Sequence, residues 1–217
     1  MFTITAFAWV PDFAKGQVRD LRVRWMLEEV GLPYRVRLID RDIQNSPAYR
    51  AEQPFGQVPT LSQEGRPTLF ETGAILLELA ERTGKLLPRE RDDLVLAKSW
   101  LFASLNSVEP CIMNLADVDF FTKDKELRAK RRPTVVSSVE LRLKQLQAAL
   151  GTRDYLVGHD FTIADLMMAT VLRSLDHTDI LGMFPALSAY KARCTERPAF
   201  KAALAGQCGD FTARPPG

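Results

Sequence analysis

Apolar and polar positions first fall into short runs of strand period and then settle into helical period. Residues 3–8 (Thr3-Ile4-Thr5-Ala6-Phe7-Ala8) are almost continuously apolar and predict a buried strand, while Tyr34-Arg35-Val36-Arg37-Leu38-Ile39 alternates and predicts a second. Between them, Val10-Pro11-Asp12 and Gly16 mark a loop. A helix is then predicted over 17–30: Val18, Leu21 and Trp25 share a stripe that Val23, Met26, Leu27 and Val30 widen, and Arg19, Arg22 and Arg24 lie off it. Gly31 and Pro33 end that helix. In the polar stretch 40–52, Ser46-Pro47 suits the start of a short helix with proline at its first position. A strand is predicted from Val58-Pro59, a turn at 63–66 and a second strand over 67–70. Glu71-Thr72 then opens a helix that stops at Gly84.

The rest of the chain reads as helical. Leu94, Ala97, Leu101, Leu105 and Val108 carry one helix toward Asn114, with Pro110 expected to interrupt it. Residues 123–132, rich in Lys and Arg without interleaved aromatics, are read as a solvated connection between helices rather than a nucleic-acid patch. A further amphipathic helix is expected from Pro133 to Leu150, ended by Gly151. Thr162 and Asp165 stand at capping-box spacing before a run, 166–175, with almost no polar face. That helix should be buried, and its cap is structural rather than catalytic. Helical segments near 185–194 and 198–204 and a Gly/Pro-rich tail complete the chain.

The order of elements, βαβ followed by ββα and then helices alone, predicts two domains. A thioredoxin-like α/β domain covers 1–84, a polar linker containing Pro88 covers 85–92, and an all-α domain covers 93–217. A chain of 217 residues with 46% hydrophobic and 26% charged residues has the composition of a soluble protein with a sizeable core. A net charge of +2 argues for neither nucleic acid nor a membrane surface as partner. The N-terminus lacks a basic leader and no apolar run reaches membrane-spanning length. Cys111, Cys194 and Cys208 are far apart, which fits a reducing compartment, and a cytoplasmic protein is expected. Two lone histidines, His159 and His177, give no zinc spacing, so no metal is expected.

Candidate chemistry gathers around the predicted hairpin. Pro59 lacks an N–H and fits only the start or edge of a strand. Thr72 stands where a helix N-cap is expected, so its hydroxyl and the first helical N–H groups make a carboxylate receptor, with the opposite charge of Glu71 alongside. A carboxylate receptor beside an ammonium receptor matches a zwitterionic amino-acid head.

The joint pattern Pro54-Phe55-Gly56-Gln57-Val58-Pro59, a hairpin, then Glu71-Thr72-Gly73-Ala74-Ile75 resembles the glutathione-binding half of the cytosolic glutathione transferases. Phe161-Thr162-Ile163-Ala164-Asp165 resembles the buried helix of their C-terminal domain. The resemblance covers about 3–205. It implies a cis bond before Pro59, which would turn the backbone groups of Val58 outward to pair with a bound peptide. It further implies that Val58 and Pro59 hold the cysteinyl backbone of glutathione, that Glu71 and Thr72 hold its γ-glutamyl head, and that Gln57 and Gln44 lie near the glycyl end. An acceptor pocket of Phe13, Asn106, Glu109 and Met113 for a small hydrophobic electrophile, a homodimer and a role in detoxification are also implied.

One departure is plain: no Ser, Thr, Tyr, Cys or His lies between Ala6 and Pro33, where the family keeps the residue that activates the thiol. A thiol with an ordinary pKa of about 8.5 is mostly protonated at pH 7, so a substitute is required. The expected substitute is the helix start at Gly16-Gln17-Val18 with its amides and dipole, together with Arg19, Lys15 and the Gln17 amide. Three functions follow from the resemblance: conjugation of glutathione to electrophiles, a glutathione-dependent thiol reductase or peroxidase, or a non-catalytic glutathione-binding scaffold.

Overall fold

The structure, a computed structural model, describes residues 1–212. The end of the Gly/Pro-rich tail, 213–217, lies outside the described residues. The chain divides into two compact units, one of residues 1–85 with 196–217 and the other of residues 86–195.

The first unit is a thioredoxin-like α/β fold. Its strands are β1 (Phe2–Phe7), β2 (Tyr34–Ile39), β3 (Thr60–Gln63) and β4 (Leu69–Phe70), in the order β2-β1-β3-β4. β1 and β2 are parallel; β3 is antiparallel to both β1 and β4. The parallel pair needs a crossover, and α1 (Asp20–Val30) supplies it. That helix buries Leu21, Val23, Trp25, Met26, Leu27 and Val30 and ends on Gly31 in the left-handed region at φ 73°. Two short helices follow, α2 (Arg41–Asn45) and α3 (Pro47–Glu52). The hydroxyl of Ser46 caps α3 by accepting from the Tyr49 N–H, so the Ser-Pro start holds. After the hairpin, α4 (Thr72–Thr83) ends at Gly84, also left-handed.

Two sequence expectations are corrected in this unit. The first helix begins at Asp20, not at 17, because Lys15, Gly16 and Gln17 are taken up by turns: the Gln17 N–H donates to the Ala14 carbonyl at 3.0 Å. The last helix, α10 (Pro198–Asp210), was expected in an all-helical domain ending at 217 but packs in the first unit along α1. Arg197 forms two hydrogen bonds with Glu29 (2.6 and 2.8 Å), Phe200 meets Trp25 edge to face, and Asp210 accepts from Arg24 at 2.7 Å.

The second unit is helical: α5 (Arg91–Ala103), α6 (Glu109–Ala116), α7 (Lys125–Leu150), α8 (Ile163–Arg173) and α9 (Pro185–Thr195). The predicted interruption near Pro110 is present as a wide π-turn over Ser104–Val108, immediately before the helix whose first turn holds that proline. The basic run 123–132 is not a connection. Asp124 caps α7 by accepting from the Glu126 and Leu127 N–H groups, and 125–132 form the first turns of that helix. Its charges are answered locally: Arg132 donates Nε and Nη2 to the two carboxylate oxygens of Asp119 (2.7 and 3.2 Å), and His177 Nε2 lies 3.2 Å from the same group. α8 is buried from Ile163 to Leu172, and Thr162 and Asp165 close its N-terminus in the expected capping box. None of the helices among the described residues is long and apolar enough to cross a membrane.

Burial alone would raise the Asp119 carboxyl, but the hydrogen bonds and charges of Arg132 and His177 outweigh it and hold the group below the ordinary carboxylate range. A depressed carboxylate stabilises the fold above its unfolded pKa of about 4, and that contribution is lost as pH falls through the folded value. Asp119→Asn is therefore expected to lower stability by about 1 kcal/mol at pH 7, a figure discounted because Arg132 is partly exposed, and by less at pH 3, below the unfolded pKa. Urea unfolding of both proteins at the two pH values measures this; equal losses at both would show that the ion pairs carry no stability.

Candidate functional site

The hairpin brings the candidate residues together through strand register. Thr60 pairs with Phe70 across β3 and β4, so Val58-Pro59, which lead into β3, and Glu71-Thr72, which follow β4, leave the ladder at the same end of the hairpin. The Val58–Pro59 bond is cis. Among the described residues, neither the N–H nor the C=O of Val58 is hydrogen bonded. The rim of the sheet thus presents one open backbone donor and one open acceptor, as strand addition requires.

Glu71 supplies the neighbouring charge. It is exposed, sits at φ 69° in a region that non-glycine residues avoid, and its carboxylate has no partner among the described residues. This residue, not Thr72, is the N-cap of α4, a shift of one position from the sequence expectation. Thr72 is the first helical residue. The shift keeps the carboxylate receptor, because the N–H groups of Thr72 and Gly73 point out of the helix start with no acceptor among the described residues. Arg22 adds to it. This α1 side chain, only 4% exposed, reaches the Thr72 hydroxyl with Nη1 at 3.4 Å, so its charge stands beside the α4 N-terminus.

The rim is held from beneath by a buried hydroxyl network that no single segment announces. Thr5 Oγ1 lies 3.1 Å from both the Tyr49 hydroxyl and the Thr60 hydroxyl and accepts the Thr60 N–H at 2.7 Å. Tyr49 in turn donates to the Gln57 carbonyl at 2.7 Å, and burial pushes its phenol above the ordinary value, so it stays a donor. These bonds fix the backbone on both sides of Val58-Pro59. A sequence signal existed, since a tyrosine placed to face the core has to find a polar partner. Gln44, expected near the glycyl end, donates its side-chain amide to the Gly56 carbonyl at 2.7 Å and so braces the loop before the rim. Gln57 is exposed. Gly56, at φ 63°, has the Arg50 guanidinium where a Cβ would stand, so a side chain there would displace that arginine.

Tyr49→Phe should cost about 1–2 kcal/mol, because the Gln57 carbonyl and Thr5 lose a buried partner. It should also speed amide exchange at Thr60, whose N–H donates to Thr5 Oγ1, more than in α4. Urea unfolding and hydrogen exchange check this; unchanged exchange at the rim would mean that the network does not fix it.

The loop after β1 differs from its expected geometry. The first turn of α1 is closed by Leu21 and Arg22 donating to Val18 and Arg19, and the residue at its start is the buried carboxylate of Asp20. Burial pushes the Asp20 carboxyl up against the pull of the Arg24 charge and the Gln207 amide. The positive end of α1 thus already faces an acid, and the Gly16–Val18 segment expected at the helix start lies in the turns ahead of it. Lys15 pairs with Asp12 at 2.7 Å on an exposed surface. Gln17 and Arg19 are half-buried in the turn leading to the helix. The Trp9 indole N–H, half-buried in the same loop, has no partner among the described residues. Of the acceptor-pocket candidates, Phe13 is exposed in the first unit. Asn106 and Met113 are exposed and Glu109 buried in the second. Among the described residues, no group of three His, Cys, Asp or Glu could hold a metal ion.

Comparison with known proteins bears on the family and the fold. Residues 21–82 match the glutathione S-transferase N-terminal domain model, and residues 111–207 match the glutathione S-transferase C-terminal domain model. The disulfide-bond oxidoreductase YfcG of Escherichia coli is 28% identical over 203 residues, 87% of this chain and 92% of that protein. Glutathione S-transferase 3 of Schizosaccharomyces pombe is 29% identical over 164 residues, 69% of this chain and 67% of that protein. A glutathione transferase of Burkholderia graminis, solved with two glutathione molecules bound per subunit, superposes with a TM-score of 0.81 at 27% identity, over 94% of this chain and 87% of its own. With both domain models matched in order and the fold shared, this chain belongs to the glutathione S-transferase family.

Proposed function

We propose that this protein binds glutathione along the Val58 rim and transfers its thiol to small hydrophobic electrophiles. The observation that carries this reading is the unpaired Val58 backbone beside the open α4 N-terminus and the unpartnered Glu71 carboxylate. The cysteinyl backbone of glutathione pairs with Val58, its γ-glutamyl carboxylate lies on the Thr72 and Gly73 amides with Arg22 behind, and its ammonium faces Glu71. Gln57 and the braced Gln44 border the glycyl end. The thiol loses its proton to solvent, and Lys15, Gln17 and Arg19 favour the anion through positive charge and a neutral donor. The thiolate then forms a bond to the electrophilic carbon, and the leaving group departs with its electron pair. Phe13, Asn106, Glu109 and Met113 are the proposed acceptor-side residues, and a cytoplasmic homodimer completes the reading.

A second reading is favoured by one specific observation, the 28% identity over 203 residues to a disulfide-bond oxidoreductase; the absence of a cysteine between Phe7 and Leu32 argues against a mixed disulfide on that segment, so both sulfurs would have to come from glutathione. In that case the glutathione thiolate attacks a disulfide, releasing one thiol. A second glutathione then resolves the mixed disulfide, giving glutathione disulfide and the other thiol.

Retention on immobilised glutathione followed by two assays separates these readings. Conjugation of an activated aryl halide supports transfer, and reduction of a small dialkyl disulfide without conjugation supports the second reading. Retention with neither points to a binding protein, and failure to be retained removes all three. In the conjugating enzyme, Arg19→Ala and Gln17→Ala are expected to raise the apparent thiol pKa by about one unit between them. An unshifted pH profile in both would remove these residues from thiol activation.

A further inference from the structure

The loop of residues 8–19 is a long stretch of the proposed site that neither the sheet nor an α-helix supports along its length. Its ends are nevertheless tied, and both ties come from the far end of the chain. At the front, the Ala8 carbonyl accepts the Thr212 N–H at 2.8 Å and the Thr212 hydroxyl at 3.2 Å. At the back, the side-chain amide of Gln207, 1% exposed on α10, donates to the Val18 carbonyl at 3.0 Å and to the Asp20 carboxylate at 2.7 Å. The same carboxylate accepts Arg24 Nε at 2.7 Å, and Arg24 Nη2 reaches back to Asp210. Three residues of the C-terminal segment thus engage both ends of the loop, directly or through Arg24, across a sequence separation of 186 to 204 residues.

We propose that Gln207 and Thr212 are positioning residues for the thiol-activating loop, acting through the Val18 and Ala8 carbonyls, so that the C-terminal helix sets how the loop meets the bound thiol. This rests on the glutathione-transfer reading for its catalytic consequence, but the positioning itself is a property of the loop. The chemistry suits the task. A neutral amide can donate to a carbonyl and a carboxylate together without adding charge beside a site that must favour an anion, and its burial keeps water from competing for either acceptor. The bonds to Ala8 and Val18 bracket Trp9, Lys15 and Gln17, whereas the rim at Val58 is held separately by Thr5, Tyr49 and Thr60.

The test uses the full chain and three variants. Gln207→Met keeps length and burial but removes the donors. Thr212→Pro removes both Thr212 donors, and the extended backbone at Phe211 (ψ 130°) already suits a following proline. Arg197→Gln breaks the tie between α10 and α1 at the opposite end, at Glu29. Hydrogen exchange of residues 9–19 is expected to accelerate at least about tenfold in Gln207→Met and in Thr212→Pro, with residues 57–60 unchanged, and to stay at the wild-type rate in Arg197→Gln. In the conjugation assay, the acidic limb of the kcat/KM profile should move up by about half to one pH unit in the first two variants, with KM for glutathione within about twofold. Unchanged exchange in the first two variants, or equal acceleration in Arg197→Gln, overturns the proposal. If the wild type shows no turnover, the transfer reading fails while the exchange data still decide the positioning claim. Should Gln207→Met not fold, Thr212→Pro decides it alone.

Discussion

Asp165→Ala is expected to cost the helical unit about 4–6 kcal/mol, enough to leave the protein largely insoluble or unfolded, since total stabilities run only about 5–15 kcal/mol. Asp165 is fully buried and its carboxylate has four donors: the Leu156 N–H (2.8 Å) and Tyr190 hydroxyl (2.9 Å) on one oxygen, and the Thr162 N–H and hydroxyl (2.9 Å each) on the other. Burial pushes the carboxyl above its ordinary range against the pull of those donors, so the site is costly to keep and costlier to vacate. Alanine strands two buried backbone donors and a phenol, each worth about 1–3 kcal/mol, and deletes half of the cap on a helix whose residues 163–172 are all buried. Tyr190→Phe removes one donor and leaves the other three on the carboxylate, and about 1 kcal/mol is expected. Asn at 165 keeps one acceptor oxygen and should fall between the two. Urea unfolding of the Phe and Asn variants gives the gradation, and soluble yield with near-ultraviolet circular dichroism reports on the Ala variant. A well-folded Asp165→Ala protein within about 1 kcal/mol of the wild type would mean that the four bonds are not coupled to the packing of α8.

That capping box was legible in the sequence because its partners lie three residues apart, and so were the Ser46-Pro47 helix start and the stops at Gly31 and Gly84. Each is a local signal answered by local bonds. The hairpin that carries the candidate residues was legible for the same reason: Val58-Pro59 and Glu71-Thr72 flank β3 and β4 at one end of a short hairpin. What the sequence hid is long-range. The first helix was extended back to Gln17 because Val18 continues its apolar stripe. Nothing nearby shows that Asp20 is buried and held by Gln207 from the other end of the chain. Arg22 lies off the apolar stripe of the first helix, yet its side chain is buried and runs to Thr72. The basic run 123–132 looked like a connection because Asp119, which pairs Arg132, lies before it in a π-turn that no hydrophobic period reveals. Thr5, Tyr49 and Thr60 stand on three separate elements, and only the assembled sheet makes their hydroxyls one support.

Glu71→Gln should weaken glutathione binding by about 3- to 15-fold, the loss expected when a charge-assisted hydrogen bond of about 1.5–3 kcal/mol becomes a neutral one of half the strength. Stability should change by less than about 0.5 kcal/mol, because the carboxylate is exposed and bonds to nothing among the described residues. The backbone at this position separates strain from recognition. At φ 69° a non-glycine residue is strained, so Glu71→Gly should raise stability by about 1 kcal/mol while losing the same binding as the Gln variant. A site that trades stability for an aimed charge behaves in this way, whereas a residue serving only the helix would not lose ligand on becoming glycine. The ligand can be changed as well: a glutathione analogue lacking the γ-glutamyl amino group should bind wild type and Glu71→Gln within about twofold of each other, since the group that Glu71 faces is then gone. Calorimetric titration of both proteins with both ligands completes the cycle. If the analogue loses as much as glutathione does on substitution, Glu71 acts on the helix start and not on the ammonium, and the assignment of the γ-glutamyl head to this corner of the rim falls with it.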